Sequence, residues 1–181
     1  MTGFFHEAVT SALKSTQVEA GDATEFYLVN LLVEFTKAPR VDDEPLALKM
    51  AHASGAPPEE RVRALREIGD TTLYVTGFFG DSLAHKLIDA DYYISMGGSA
   101  YGQLSRGGVA PQVLRDAWSE LSDKFRKYVE VLNEVRASTN VTGGSNVLRL
   151  CEEWVKTGSD WLEKRLRASG VVALDKKKLS H

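Results

Sequence analysis

Apolar residues recur along most of the chain at three- and four-residue steps, the spacing that predicts amphipathic helices. The clearest stripe runs from Leu114 to Val135, and it predicts one long helix that begins at Pro111. Residues 26–35 carry apolar side chains on most sides, which predicts a central, buried helix. Strand-like alternation is nearly absent. The pattern therefore predicts an all-α fold, an antiparallel helical bundle of about six to eight helices.

Several predicted helix ends carry local signals. The order from Asp22 to Glu25 is that of a capping box, in which side chains of the first turn accept from its free amides. Two prolines followed by two glutamates, residues 57–60, start another helix, which we expect to reach about Thr76. Residues 147–166 carry a final helix or helix pair.

Length and composition narrow the classes of protein. The 181 residues show no repeat or composition shift, so we predict a single helical domain over residues 1–170 and a short tail over 171–181. The net charge of -3 disfavours binding to nucleic acid, which needs a basic face. No apolar run approaches the roughly 18 residues of a membrane span. One cysteine, Cys151, and an N-terminus unlike a signal peptide predict a cytoplasmic location.

The segment from Gly69 to Gly108 departs from this ordinary pattern. It holds eight of the fifteen glycines and six of the sixteen aromatic residues. Each glycine inside a helix costs roughly 1 kcal/mol against alanine, so packing or binding should offset the total. We interpret the segment as two helical pieces joined around Gly77 to Ser82. Close helix packing is the favoured explanation, and approach of a flat ligand to the backbone is the alternative.

Within this segment, Asp89 is the expected cap of a helix that carries a seam of small residues, Ser95, Gly98 and Gly102. Tyr93, Gly97 and Tyr101 also lie four residues apart, so two phenols can flank a gap. The candidate ligand or interface residues of the segment are Asp70, Tyr74, Tyr92, Tyr93, Gly97, Gly98 and Tyr101.

Asp70 lies in an apolar helix, where a buried acid needs hydrogen bonds from a threonine, a tyrosine or a backbone amide. A structural network between tyrosine and aspartate is favoured over a catalytic one. Two further interpretations of Asp70 carry equal weight. It pairs with an arginine at the edge of the core, or it has a role in a site.

A row of Asp81, His85 and Asp89 provides the weak candidates for a metal site. On one helix these residues share a face, and a carboxylate–imidazole–carboxylate row can hold a divalent cation. A solvated polar face is the favoured interpretation, and Asp89 breaks the row if it caps the next helix. No histidine follows a glutamate by three residues, which counts against a ferritin-like iron site.

Two passages, residues 69–79 and 89–97, resemble a group of uncharacterised bacterial all-helical cytosolic proteins. The likeness extends over most of the chain and rests on a Gly-Asp, a Gly-Phe-Phe and an Asp-Tyr-Tyr with a following glycine. It implies a bacterial, cytosolic origin and a shared fold, but no activity. A fainter likeness is to the heme oxygenase-type fold, with His6 and the helix from Gly97 to Gly102 in loosely matching places. The fuller glycine motif of that family is not reproduced here.

Two functions remain open at this point. The first is a non-enzymatic helical protein that acts through protein–protein association or self-association, as a homo-oligomer whose glycine- and tyrosine-rich segment forms a groove. The second is a small-molecule, tetrapyrrole or metal-binding protein with a site between helices in the 69–108 region. No Ser/His/Asp order, phosphate-binding loop or zinc spacing appears, so the sequence leaves open any cofactor and any catalysed reaction.

Overall fold

The computed structural model describes residues 1–37, 44–83 and 89–141, without the side chains of 81–83 and 140–141. This part of the chain forms seven helices and no strand. They are α1 (Thr2–Thr16), α2 (Asp22–Lys37), α3 (Leu46–Gly55), α4 (Pro58–Leu83), α5 (Ala90–Arg106), α6 (Gln112–Asp123) and α7 (Phe125–Val141). The helices pack on one another, which confirms the all-α prediction. None of them is both long and apolar enough to cross a membrane.

Three sequence predictions fall wholly on residues outside the described ranges. They are the final helix pair over 147–166, the environment of Cys151, and the tail over 171–181. Within the described ranges, α4 packs against α3, α5 and α7, while α1 packs against α2 and α7. The core is apolar and aromatic, as the helical periodicity predicts.

Helix α2 contributes most of its apolar residues to that core, including Leu28, Leu32 and Phe35. The prediction that it is surrounded on most sides needs one correction. Phe26 points away from the core and its side chain is 64% exposed. The outward face of α2 is therefore partly apolar.

Helix α4 continues through Gly77, past the predicted end near Thr76, and it bends at Phe79, inside the junction predicted between Gly77 and Ser82. A Cβ atom at Gly77 would lie 2.5 Å from the Cβ of Leu132, which shows that α7 occupies the space a side chain would need. Close approach of α7 offsets the cost of this glycine within the helix. Only Phe79 leaves helical geometry, with φ -125° and ψ 21°, and it marks a bend.

The helix predicted to run unbroken from Pro111 is two helices, because Lys124 has the non-helical angles φ -115° and ψ 26°. The side chain of this residue is fixed by one tertiary contact and by one contact to a residue four positions earlier on α6. Its Nζ donates to the backbone oxygen of Glu19 at 2.9 Å and to Oε1 of Glu120 at 3.0 Å. The apolar stripe continues across the break, which is why the sequence pattern does not reveal it.

The N-terminus of α2 is capped by a residue of another helix. Oε2 of Glu120 accepts from the amide of Gly21 at 3.1 Å and from the hydroxyl of Thr24 at 2.6 Å. In the predicted capping box, the side chain of Glu25 would reach back to the start of α2. The Glu25 carboxylate accepts from the Thr10 hydroxyl of α1 instead, so the predicted box does not form. Burial alone would raise the pKa of Glu120, but its hydrogen bonds from Thr24, Lys124 and Gly21 outweigh burial and lower it.

Candidate functional site

A buried carboxylate between three helices is the most polar feature of the core. Oδ1 of Asp70, on α4, accepts from the phenol of Tyr27 on α2 at 2.6 Å and from the phenol of Tyr101 on α5 at 2.7 Å. Asp70 is 7% exposed and both tyrosines are buried. The prediction that a tyrosine satisfies this acid is therefore confirmed, and a single carboxylate oxygen ties α2, α4 and α5 together.

Arg66 supplies a third partner of this carboxylate, as the arginine interpretation expects. Its Nε lies 3.4 Å from Oδ2 of Asp70, one helical turn away. The guanidinium also lies over the ring of Tyr27, 5.5 Å from the centroid, and approaches Glu34 at 3.7 Å. Arg66 is half-exposed, so it connects the buried carboxylate with the surface.

Burial dominates the electrostatics of this cluster. It raises the pKa of Asp70 to about 6, while the hydrogen bonds from Tyr27 and Tyr101 and the charge of Arg66 act in the opposite direction. Burial, and then the charge of Asp70, raise the pKa of both phenols well above their ordinary range. Both phenols therefore stay protonated near neutral pH and donate to the carboxylate.

The glycines beside the cluster admit side chains of neighbouring helices. A Cβ at Gly69 would lie 2.6 Å from the ring of Tyr101, and a Cβ at Gly97 would lie 2.2 Å from Oγ1 of Thr72 and 2.5 Å from the ring of Phe125. The space in front of these two glycines is therefore filled by protein atoms. This arrangement agrees with close packing, the favoured explanation for the segment.

The predicted seam of small residues on α5 faces α6. The backbone oxygen of Gly98 accepts from the Ser122 hydroxyl at 2.7 Å, and a Cβ at Gly102 would lie 3.0 Å from the same hydroxyl. Ser95, the third member of the predicted seam, is exposed. A helix, and no empty gap, thus lies against the two glycines.

The remaining tyrosine candidates do not join Asp70. Tyr74 is buried and stacks on Phe35 and Phe78, with ring centroids 4.3 and 4.8 Å apart. Tyr93 is half-buried, and burial raises its pKa, with a smaller effect from Tyr92. Tyr92 lies on the surface with its ring edge-on to Tyr93. The structure therefore brings only Tyr101 of the predicted phenols to the carboxylate.

The metal row is interrupted at Asp89. Its carboxylate caps α5 by accepting from the amide of Asp91 at 3.4 Å, and the residue is exposed. His85 lies outside the described residues, and the side chain of Asp81 is likewise not described. Among the described residues, no three acidic, histidine or cysteine side chains are grouped as a metal site requires.

His6, matched to a heme ligand by the fainter likeness, lies apart from the glycine-rich helix. Its imidazole is 63% exposed and lies 4.0 Å from Glu25 of α2. The backbone of Gly97, where a flat ligand would approach, is covered by Thr72 and Phe125. The two features of that likeness therefore do not face each other across a common cavity.

A surface groove opens where the start of α4 meets the end of α5. It has a volume of about 470 Å³. Its lining combines apolar side chains with two arginines and one glutamine: Ala56, Pro58, Arg61, Val62, Leu65, Gln103, Leu104, Arg106, Gly107, Val109 and Ala110. Sequence reasoning missed this groove, because its residues come from two stretches far apart in the sequence, 56–65 and 103–110, and no short motif marks them.

Comparison with known proteins adds no relative: the chain matches no protein-family model, no curated protein and no solved structure. The chemistry of the molecule therefore rests on its own geometry. That geometry offers a buried, fully bonded carboxylate at Asp70 and an open groove with positive charges.

Proposed function

We propose that this protein acts by non-enzymatic self-association, with the outward face of α2 packed against the same face of a second copy. The observation that carries the proposal is Phe26, a large aromatic side chain that is 64% exposed on a helix whose other apolar side chains are buried or half-buried. One exposed apolar residue is ordinary on a protein surface. Its neighbours on the same face make this one different.

These neighbours form a stripe along α2 at three- and four-residue steps. The stripe consists of Asp22, Phe26, Asn30, Val33 and Lys37, and we call it the α2 stripe. Three of its members are exposed, and the other two, Asn30 and Val33, are half-buried, with Val33 also packed against the edge of the core. Residues at these steps share one face of a helix. An acid therefore stands at one end of the stripe, a base at the other, and two apolar side chains lie between them.

This order is complementary to itself in an antiparallel pair. A two-fold axis between positions 29 and 30 places Phe26 against Val33 of the second copy, and Asp22 against Lys37 of the second copy. Symmetry repeats both contacts, as in other isologous dimers. The apolar contact supplies most of the affinity, while exposed ion pairs contribute little affinity and mainly set the register.

The Asp70 cluster supports the non-enzymatic part of the proposal. The pKa of Asp70, about 6, is close to neutral pH, a property that catalytic acids and bases share. However, Oδ1 is occupied by two phenols, and neither Asp70 nor its tyrosine partners line the groove. A substrate would have to displace packed side chains to reach the carboxylate, so the cluster is better suited to holding helices together.

Sedimentation velocity over a concentration series tests this proposal. We expect wild type to dimerise, and Phe26→Asp to raise the dissociation constant by at least about tenfold, because a charge replaces the apolar contact. Leu48→Asp is the matched control, since Leu48 is a comparably exposed apolar residue on α3 at 51%. It should dimerise as wild type does.

Charge reversal tests the register of the pair. Asp22→Lys and Lys37→Asp should each weaken the homodimer, because like charges then meet at both ends. A mixture of the two single variants should restore pairing, because opposite charges meet again. A wild type that stays monomeric at every concentration, or a mixture that pairs no better than either variant alone, contradicts the proposal.

A further inference from the structure

The charged side chains that line the α4–α5 groove are of one sign. Arg61 and Arg106 are the charged residues among those that line it, and no acid does. Nη2 of Arg61 donates to Oε1 of Gln103 at 3.1 Å, which links α4 to α5 and orients the guanidinium. An arginine held in this way loses less freedom when it binds an anion.

The second arginine rests against a glycine. A Cβ at Gly102 would lie 3.3 Å from Nη1 of Arg106, so the absence of a side chain leaves room for this guanidinium beside α5. The loop that follows is fixed from α6, because Nη1 of Arg115 donates to the backbone oxygen of Gly107 at 3.4 Å. Both ends of the groove are therefore positioned by contacts between elements.

The floor of the groove is apolar. Leu65 from α4 and Leu104 from α5 are both buried beneath it, and Val62 is half-buried beside them. On the loop side, Val109 is 55% exposed. A ligand that covers Val109 and contacts this floor removes apolar surface from water, which favours binding.

We infer that this groove binds a small organic carboxylate that carries a short apolar chain. Each guanidinium provides a planar set of donors that matches a carboxylate, and the floor matches the chain. The volume of the groove, about 470 Å³, falls within the range of roughly 300–1,000 Å³ that small-molecule sites occupy. The groove shares no residue with the α2 stripe, so this inference is independent of the proposed self-association.

Isothermal titration with three probes tests the inference on the full chain. Octanoate carries both the charge and the chain, acetate only the charge, and octan-1-ol only the chain. We expect octanoate to bind at least about tenfold more tightly than either of the others, because each lacks one of the two contacts. Octan-1-ol that binds as tightly as octanoate, or octanoate that does not bind, overturns the inference.

Charge-neutral variants locate the site. Arg61→Gln combined with Arg106→Gln should weaken octanoate binding by at least about tenfold, since charge-assisted hydrogen bonds are lost. Arg63→Gln removes the same charge from an exposed position of α4 that does not line the groove, and should change the affinity by less than about twofold. Equal effects of the two sets of changes would mean non-specific attraction and would overturn the assignment to the groove.

Discussion

Helices α4 and α5 meet in two regions that are built in opposite ways. In the middle of the pair, Gly69 and Gly97 let the helices approach closely, and the carboxylate of Asp70 is enclosed with its partners. At the end of the pair, Arg61 and Arg106 stand at an open groove with an apolar floor. The same two helices thus carry a closed polar cluster and an open charged surface.

The difference between the two regions lies in where each charge finds its partners. Inside, Asp70 receives two phenols and an arginine from within the fold, so its charge is used for cohesion. A polar group that is buried without hydrogen-bond partners destabilises the fold several times more than the same group on the surface. In the groove, water solvates the charges of Arg61 and Arg106, so these side chains stay available for a ligand. Three measurements separate the two regions.

Asp70→Ala should produce the largest loss of stability. It leaves the phenols of Tyr27 and Tyr101 buried without an acceptor, and we expect the free energy of unfolding to fall by about 3 kcal/mol. Arg61→Ala, on the exposed side of the comparison, should change it by less than about 0.5 kcal/mol. Urea denaturation followed by circular dichroism measures both. Equal losses would mean that the cluster contributes no special cohesion.

Gly97→Ala should have a smaller but clear effect. The added Cβ would clash with Thr72 and Phe125, and overpacking should outweigh the gain in helix propensity, for a net loss of about 2 kcal/mol. Gly98→Ala is the matched control on the next residue, where the nearest atom is the Ser122 backbone oxygen at 3.8 Å. It should stabilise by up to about 1 kcal/mol in the same denaturation assay. Two losses of the same size would contradict close packing at Gly97.

The pH dependence of stability should carry a signature of Asp70. The groups that face this carboxyl are Tyr27 and Glu34 on α2, Arg66 on α4 and Tyr101 on α5. The folded pKa of about 6 lies above the ordinary value of 3.8, so the folded state binds the proton more tightly. Stability therefore rises as pH falls through 6 and declines again as pH rises.

Between pH 7 and pH 5 this effect should stabilise the protein by on the order of 1 kcal/mol. Asp70→Asn keeps an acceptor for the phenols but does not titrate in this range, so the gain should vanish in that variant. Thermal denaturation at several pH values compares the two proteins, and subtraction removes the contributions of other carboxyls and histidines. Parallel curves for wild type and variant would show that Asp70 does not titrate there.

Helical periodicity was sufficient to predict the fold class, because every described helix buries one apolar face. The surroundings of Asp70 were partly predictable, since an acid in an apolar helix needs hydroxyl or arginine partners. Tyr27 was not predictable as a partner. It lies 43 positions from Asp70 in the sequence, inside an apolar run whose pattern predicts only that a tyrosine is part of the core.

The errors in helix ends have a common physical origin in tertiary contacts. Gly77 indicates a break by its propensity, but α7 approaches it closely and helical geometry continues until the bend at Phe79. Lys124 has good helix propensity, yet the chain breaks there while its ammonium bonds to Glu19 and Glu120. In each case a residue remote in sequence accompanies the outcome, and local patterns contain no information about it.

The packing of α1 against α7 has a consequence for how the chain is made. Part of the apolar face of α1, which includes Val9 and Leu13, is covered by a helix that ends at Val141. During translation the first helix therefore leaves the ribosome long before its last neighbour exists. Until then that face stays open to water or to chaperones, as is typical of contacts between distant parts of a chain. Helix α1 is thus synthesised before α7 and is fully covered only after α7 has been made.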